Sequence, residues 1–245
     1  MNATNKIKIA LVGYGAMGKE IEDICISKKH IITNKFDIDN PLNQNQEYDF
    51  DVAIDFSNPD SVIKNIEILS SMRKYIVVGT TNWYDKIDYV KQLATDNDIG
   101  IVWGSNFSIG MQVFYKIVKC AAELFNDYEQ YDTFISEIHH SNKADSPSGS
   151  AKTLSNIILE NFDKKKMLVS DNINRKIAAD ELHISSLRGG SIYGQHNVFF
   201  DSQVDTIQLI HNAKSRKGFA IGAVTAAEFI NNRTGFYNFE EILFG

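Results

Sequence analysis

The stretch EIHHSNKADSPSGSA, residues 137–151, combines two adjacent histidines, a lysine, an aspartate and a Ser-Gly-Ser turn. Histidine has the unperturbed pKa closest to neutrality, so His139 or His140 is suited to giving or taking a proton. Lys143 follows closely and supplies positive charge or a second proton. These residue types together indicate proton chemistry on an anionic ligand.

The end of the same stretch predicts a binding site for that anion. Ser148, Gly149 and Ser150 open a segment whose apolar residues recur at helical spacing. Backbone N–H groups at a helix N-terminus, together with the Ser150 hydroxyl, can hold a carboxylate or a phosphate. The alternative is a loop of solvated polar residues, and the stretch by itself leaves both interpretations open.

Histidine and acidic residues can also bind a metal ion. Residues 137–140 are predicted to end a strand, so His139 and His140 point to opposite faces and have different roles. Adjacent histidines on a strand are not the i, i+4 pair of a helical zinc site, and the sequence shows no second cluster of ligands. We therefore expect no metal.

A second candidate site lies near the start of the chain, where GYGAMG fits the pattern G-x-G-x-x-G between a predicted strand and a predicted helix. In a Rossmann dinucleotide site the first glycine permits a tight turn, the second admits the pyrophosphate and the third lets helix and strand pack closely. An acid after the second strand binds the ribose hydroxyls; Asp37 has that position and Asp39 is its nearest rival. A plain turn with surface aspartates is the alternative. The predicted loop residues are Gly13, Tyr14, Gly15, Ala16, Met17 and Gly18.

Two further stretches follow predicted strands at the carboxyl edge of the same sheet. They are Gly79-Thr80-Thr81 and Gly104-Ser105-Asn106-Phe107. Ligands of open α/β sheets bind along that edge, and small or hydroxylated residues suit contact with the ribose and nicotinamide. Each stretch alone is also compatible with an ordinary turn.

These sites depend on strands that alternate with helices through the first hundred residues, which implies a parallel, doubly wound sheet. Strands are predicted at 7–12, 31–36, 52–56, 75–78 and 99–103, and helices after the glycine loop and near 60–71 and 84–97. A helix at 109–125 precedes a change of pattern. From 131 to 211 the strand-like segments FISEIHH, HISSLRG, HNVFF and VDTIQLIH surround one clear helix at about 150–161, which predicts an α+β region. Residues 219–231 are predicted to be helical again, and the aromatic tail is predicted to pack.

Composition limits the class of protein. The 245 residues carry a net charge of -6, which argues against general nucleic-acid binding because that function leaves a basic footprint. No apolar run approaches the ~18 residues of a membrane helix, and no signal-peptide core precedes the first strand, so we expect a cytoplasmic protein without a membrane partner. Cys25 and Cys120 lie far apart in apolar segments and are predicted to be packing residues.

The pattern E-x-H-H-x-x-K-x-D-x-P-S-G-[ST]-A resembles the signature of the 4-hydroxy-tetrahydrodipicolinate reductase family, also called dihydrodipicolinate reductases, of lysine and diaminopimelate biosynthesis. The resemblance covers nearly the whole chain. Besides the glycine loop it includes VAIDFSNPDSV (52–62), VVGTT (77–81), SNFSIGMQVF (105–114), LRGGSIYGQH (187–196) and HNAKSRKGFAIGA (211–223).

The resemblance implies a Rossmann domain, formed by residues 1–108 and 213–245, that binds the dinucleotide. It implies an α+β domain with an open mixed sheet at 109–212, which binds substrate and forms a homotetramer. The implied reaction transfers hydride from NADH or NADPH to an unsaturated heterocycle with two carboxylates, reducing 4-hydroxy-tetrahydrodipicolinate to tetrahydrodipicolinate. The partner is thus a small dicarboxylate.

The resemblance also implies roles for single residues. His139 becomes the proton donor and acceptor and Lys143 a second proton donor, while His140 and the Gly149-Ser150 turn bind substrate. An enamine or carbanion beside an imine needs a proton after hydride arrives, which agrees with these roles. Arg216 adds positive charge near the site or forms a structural salt bridge, and the sequence leaves both open.

The chain departs from the family pattern at the glycine loop and after the second strand. Many members have a loop one residue longer with an arginine before the Met-Gly step, and here no arginine follows Asp37. Because arginine is the usual partner of the NADPH 2′-phosphate, we expect NADH to be favoured, with Lys19 or Lys35 as the alternative partner of NADPH.

Two other functions are compatible with the glycine loop. Another Rossmann imine or amino-acid dehydrogenase acting on a small acid would not need the His-His-x-x-Lys and Ser-Gly-Ser combination. A non-catalytic nicotinamide-binding sensor would tolerate the loss of His139 and Lys143, which are both present here.

Overall fold

The computed structural model describes residues 6–170 and 173–245, and the chain forms two compact units. The first unit contains residues up to Ile109 and then Arg216–Gly245, and the second contains Gly110–Ser215. Residues 1–5 of the first predicted domain and 171–172 of the second lie outside the described residues. The functions predicted for the two domains stay predictions.

Eleven strands and seven α-helices occur in the described ranges. The strands are β1 (Lys8–Val12), β2 (Ile31–Phe36), β3 (Val52–Asp55), β4 (Tyr75–Val78), β5 (Gly100–Trp103), β6 (Asp132–His139), β7 (Met167–Val169), β8 (Glu181–Arg188), β9 (Gln195–Asp201), β10 (Thr206–Asn212) and β11 (Gly235–Asn238). The helices are α1 (Ala16–Ser27), α2 (Val62–Ser71), α3 (Ile87–Asp96), α4 (Ile109–Asn126), α5 (Gly149–Asn161), α6 (Lys217–Ile230) and α7 (Phe239–Phe244). None of these helices is both long enough and apolar enough to cross a membrane.

The first unit contains a six-stranded parallel sheet in the order β11-β5-β4-β3-β1-β2. Alternate residues of its central strands pack on opposite faces, which explains why these strands are apolar throughout. Leu11 and Ile54 pack with α6 residues such as Ala223 on one face, whereas Ala10 and Ala53 belong to the core on the other face. The strand order reverses between β1 and β3, and such a reversal opens a crevice at the carboxyl ends of the strands.

The second unit contains a five-stranded mixed sheet in the order β10-β9-β6-β8-β7. Strand β6 pairs parallel with β8 and antiparallel with β9. Helices α4 and α5 contribute Val118 and Leu154 to the core on one face, where they meet Ile135 and Val198. The predicted fold class, a Rossmann-type sheet followed by an open mixed sheet, is confirmed.

Several local predictions need correction. The helix predicted at 84–97 is a 3-10 turn, Tyr84–Lys86, followed by α3. Cys25 is buried as predicted, but the packing role predicted for Cys120 is wrong because this residue is exposed. The buried face of α4 passes through Tyr115, Val118 and Ala122, and position 120 falls outside that three- and four-residue spacing. Strands β7 and β11 and the short α7 were not predicted as elements, although Phe239 does pack the tail into the core.

Candidate active site

A cleft of about 590 Å³ lies in the first unit at the carboxyl ends of β1, β2 and β3. Its lining includes residues 13–15 after β1, 37–39 after β2 and 56–58 after β3. The cleft therefore occupies the point where the strand order reverses, which is where open α/β sheets bind their ligands.

Two of the three loop glycines are required by the packing of the protein itself, and the third is not. Gly13 has φ +88°, and a Cβ there would lie 2.3 Å from the carbonyl oxygen of Phe56, while a Cβ on Gly18 would lie 2.6 Å from the Gly13 carbonyl oxygen. The fold itself thus requires both residues to be glycine. A Cβ on Gly15, which lines the cleft and precedes α1, would meet no atom of the described residues within 4 Å.

The other loop residues have distinct environments. Ala16, the first residue of α1, is exposed, and Met17 packs against the core. The Tyr14 hydroxyl hydrogen-bonds Glu22 and accepts a 3.0 Å hydrogen bond from Lys35 Nζ, which also lies 2.7 Å from a Glu22 carboxylate oxygen. The hydrogen bond from Lys35 lowers the pKa of Glu22. Lys35 is therefore already neutralised by an acid beside the loop.

Asp37 lines the cleft and also shapes the turn that follows β2. Its Oδ1 accepts hydrogen bonds from the backbone N–H groups of Asp39, at 3.0 Å, and Asn40, at 2.9 Å. Asp39 lines the cleft as well. The structure therefore brings the glycine loop and both candidate acids to one cleft.

The stretches after β4 and β5 do not contribute to the lining of this cleft. Thr80 is buried, and its hydroxyl donates a 2.7 Å hydrogen bond to Asp55, a fully buried carboxylate whose pKa is raised by burial. Phe107 is buried with its ring centroid 4.6 Å from that of Phe239. Of the other predicted residues, Thr81 and Ser105 are exposed. The side-chain oxygen of Asn106 accepts a 2.8 Å hydrogen bond from the Ser108 N–H. Gly79 lies against the Phe56 ring, and Gly104 lies against Phe239 and Phe107.

Strand register in the second unit brings four polar residues onto the face that α4 and α5 cover. Glu137 and His139 are two residues apart on β6 and therefore share a face. Glu137 pairs with His196 on β9, and His139 pairs with Arg188 on β8. The sheet thus places two histidines, a carboxylate and a guanidinium in one cluster.

Glu137 is at the centre of this cluster and is fully buried. Its Oε2 lies 2.5 Å from Nδ1 of His139, and its Oε1 accepts hydrogen bonds from Arg188 Nη2 at 2.8 Å and from the Ser148 N–H at 3.1 Å. Burial alone would raise the pKa of Glu137, but the hydrogen bonds from His139 and Arg188 hold it far below its usual range. Glu137 is therefore ionised at neutral pH.

His196 contacts both the cluster and the start of α5. Its Nε2 lies 3.2 Å from the Ser148 hydroxyl, and its ring centroid is 5.2 Å from that of His139. Burial, assisted by the neighbouring His139, lowers the pKa of His196 to about 3. This ring is therefore neutral. His211 lies beyond it, with ring centroids 6.5 Å apart, and burial lowers its pKa too.

The loop between β6 and α5 is attached to the cluster through Arg188. Lys143 Nζ lies 2.7 Å from Asp145 Oδ1, and the Asp145 carbonyl accepts a 2.7 Å hydrogen bond from Arg188 Nη2. Burial opposes the shift, but the hydrogen bond from Lys143 lowers the pKa of Asp145. The loop therefore holds the predicted proton-donating lysine close to a guanidinium.

The Ser-Gly-Ser turn begins α5 as predicted. The Ser148 hydroxyl caps the helix by accepting the Ala151 N–H at 3.2 Å. A Cβ on Gly149 would meet no atom of the described residues within 4 Å, so space is open beside this residue, and Ser150 lies in the first turn. Ser148 thus uses its side chain inside the protein, whereas the backbone at Gly149 faces open space.

Two comparisons bear on the origin of the chain. The sequence model described as dihydrodipicolinate reductase, N-terminus, matches residues 7–107, and the one described as dihydrodipicolinate reductase, C-terminus, matches residues 110–243. The chain is 38% identical over 237 residues to the 4-hydroxy-tetrahydrodipicolinate reductase of Christiangramia forsetii, covering 97% of this chain and 98% of the relative.

The chain belongs to the dihydrodipicolinate reductase family. The 4-hydroxy-tetrahydrodipicolinate reductase of Thermosipho africanus is 35% identical, covering 97% of this chain and 98% of the relative. The solved dihydrodipicolinate reductase of Paenisporosarcina sp. TG-14, with dipicolinate bound, covers 97% of this chain and 99% of its own at a TM-score of 0.76 and 22% identity. The predicted family membership is therefore confirmed. The predicted activity, that of an NAD(P)H-dependent oxidoreductase, is confirmed as well.

The remaining predicted residues of this reductase are divided between the two units. His140 follows β6, is half-buried, and donates its backbone N–H to the Ile192 carbonyl at 2.8 Å. Arg216 immediately precedes α6 and belongs to the first unit.

Sequence reasoning assigned no role in the reductase cluster to Glu137, Arg188 or His196. Arg188 and His196 lie in the family stretch LRGGSIYGQH, which was the available signal. Both residues are distant from His139 in sequence, and the register of β8 and β9 against β6 places them beside it.

A metal ion would find one group of candidate ligands in residues 6–170 and 173–245: Glu137, His139 and His196, whose ligand atoms lie within 4.8 Å of one another. Arg188 and the Ser148 N–H already occupy Glu137 Oε1. A cation there would have to compete with a guanidinium for the same carboxylate.

Proposed function

We propose that this chain protonates its substrate through His139 and binds a substrate carboxylate at the start of α5. The reaction is the NAD(P)H-dependent reduction of 4-hydroxy-tetrahydrodipicolinate to tetrahydrodipicolinate in lysine and diaminopimelate biosynthesis. The observation that carries the proposal is the 2.5 Å contact between His139 and the buried Glu137 carboxylate, beside the open N-terminus of α5.

The cleft of the first unit fits a nicotinamide dinucleotide. Gly15 leaves open space in front of the N-terminus of α1, where backbone N–H groups attract a diphosphate. Residues 13–18 would hold the diphosphate and Asp37 the ribose hydroxyls. The cofactor supplies the hydride when bound. Residues 79–81 and 104–107 remain predicted contacts of its ribose and nicotinamide end.

The second unit places two basic side chains near the start of α5. Lys143 and Arg188 form ion pairs with Asp145 and Glu137, and the N-terminus of α5 adds a partial positive charge. The N–H groups of Gly149 and Ser150 would hold one carboxylate. His140 would contact the substrate from the end of β6. Ser148 would act by capping α5, which fixes the position of that turn.

Proton transfer follows from the same arrangement. His139 is 6% exposed, and the Glu137 carboxylate, 2.5 Å from Nδ1, holds its ring in one orientation. His139 would give its proton to the ring after hydride arrives. The 4-hydroxyl would leave as water on a proton from Lys143, while the ring loses a proton as its double bond forms. A role for Arg216 in substrate binding remains a prediction of the resemblance.

Dipicolinate, a planar ring with two carboxylates, tests the proposed substrate site without turnover. We expect calorimetric titration of the NADH-loaded protein to show that Lys143→Ala weakens dipicolinate binding at least ~10-fold, because the anion loses a cationic partner. Lys119→Ala removes an exposed lysine of α4 and should leave the affinity unchanged. Equal affinities in Lys143→Ala and wild type would contradict the proposed site.

We expect NADH to be used better than NADPH. Asp37 would repel a 2′-phosphate, and Lys35 is already paired with Glu22. Asp37→Asn keeps a side-chain oxygen for the turn but removes the charge, so the ratio of kcat/KM for NADH to that for NADPH should fall ~10-fold. Asp39→Asn is the matched control, and a larger change in that variant would contradict the role of Asp37.

The assembly and cellular setting are also proposed from sequence and surface. The sheet face opposite α4 and α5 exposes the stacked rings of Phe134 and Phe199, with centroids 4.6 Å apart, together with Leu187 and Ile210. An apolar face of this kind supports a homotetramer formed through the second unit. Location in the cytoplasm, the absence of a metal cofactor and the absence of nucleic-acid or membrane partners remain predictions from the sequence.

A further inference from the structure

We infer that Glu137 is a positioning residue that keeps a hydrogen on Nδ1 of His139, so that Nε2 is the ring atom that exchanges protons with the substrate. The inference rests on the proposed role of His139 as proton donor. It assigns a function to a buried carboxylate that does not itself contact the substrate.

The contacts of Glu137 define which ring nitrogen carries the hydrogen. Oε1 is occupied by two donors, Arg188 Nη2 and the Ser148 N–H. Oε2 and His139 Nδ1 are both buried and lie 2.5 Å apart, and neither has another hydrogen-bond partner among the described residues. An ionised carboxylate only accepts hydrogen bonds, so the nitrogen that faces it must carry the hydrogen.

The opposite side of the His139 ring lies against a glycine. A Cβ built on Gly194, which has φ +154°, would lie 3.0 Å from Nε2 of His139. A side chain at this position would therefore press on the nitrogen, and glycine leaves the space beside it free of side-chain atoms. The two ring nitrogens of His139 thus have opposite environments, one held by a buried acid and one beside a residue without a side chain.

The charged residues around His139 are arranged in ion pairs. Glu137 is the carboxylate in direct contact, and Arg188 lies behind it, 2.8 Å from its other oxygen. His196 packs against the ring and is neutral, and Lys143 is paired with Asp145. The negative charge of Glu137 therefore acts on His139 without a cationic histidine beside it.

Glu137→Gln should lower kcat at least ~100-fold, because the amide no longer selects one tautomer of His139. The KM for NADH should stay unchanged.

Glu181→Gln is the matched control for removal of a buried acid. Glu181 also lies in the second unit and is paired with Arg175 at 2.7 Å. This variant breaks a carboxylate–guanidinium pair without touching His139, so its kcat should match that of wild type. A loss of kcat of the same size in both variants would reduce Glu137 to a structural role and overturn the inference.

Nitrogen NMR of wild-type protein labelled with ¹⁵N-histidine keeps the inference testable if Glu137→Gln fails to fold. The His139 resonances are identified by their absence in His139→Gln. The neutral ring should be the Nδ1–H tautomer, and an Nε2–H tautomer would overturn the inference. Full turnover in a His139→Gln variant would instead overturn the proposed function, and would leave the measured tautomer unaffected.

Discussion

Combined replacement of His139 by glutamine and Lys143 by alanine should lower turnover at least ~10³-fold while NADH affinity stays close to that of wild type. Both predicted proton donors are lost, so the reduced substrate has no positioned acid. Both residues lie in the second unit, whereas the glycine loop and Asp37 line a cleft of the first unit. Stopped-flow measurement of hydride transfer and fluorescence titration with NADH give the two quantities.

His183→Gln combined with Lys119→Ala is the control for this double variant. These residues belong to β8 and α4 of the same unit and lie outside the cluster around Glu137. The control should retain wild-type turnover. Undiminished turnover in the His139 and Lys143 variant would show that the proton comes from another group.

Gly15→Asp should raise the Kd for NADH at least ~100-fold without lowering the melting temperature of the protein. A Cβ at position 15 would meet no atom of the described residues within 4 Å, and the residue precedes the first turn of α1. Aspartate is a favourable N-cap residue, so the helix should not be weakened. The added carboxylate would, however, occupy the space of the cofactor diphosphate and repel it.

Gly15→Asn separates the steric part of this effect from the electrostatic part, because asparagine adds nearly the same volume as aspartate without the charge. Its Kd should lie between those of wild type and Gly15→Asp. Calorimetry gives the affinities, and thermal denaturation without cofactor gives the stabilities. NADH binding to Gly15→Asp with wild-type affinity would show that the dinucleotide does not approach this loop.

The parallel sheet was predictable because its strands are short, apolar on both faces and separated by helices. Strands β2 and β4 have the bounds that the sequence predicts. Strand β7 was not predictable, because it has three residues, Met167–Val169, of which the first is exposed and the other two half-buried, and it lies at the edge of the described sheet beside β8. Short edge strands leave too few residues for an alternating pattern to emerge.

The candidate site was predictable only where its residues are close in sequence. His139, Lys143 and the Ser-Gly-Ser turn lie in one stretch, so their types and order were visible. Arg188 and His196 reach the same cluster through the register of β8 and β9 against β6, and a shift of one residue would turn them to the other face. Sequence patterns do not fix register between distant strands.

The most direct test of the account is a coupled assay of the wild-type protein. Aspartate semialdehyde and pyruvate are supplied with the preceding synthase, and loss of reduced-nicotinamide absorbance is followed with NADH and NADPH in parallel. We expect oxidation that depends on the synthase and is faster with NADH. No oxidation with either nicotinamide, in protein shown to bind NADH, would contradict the assignment of this chain as the reductase.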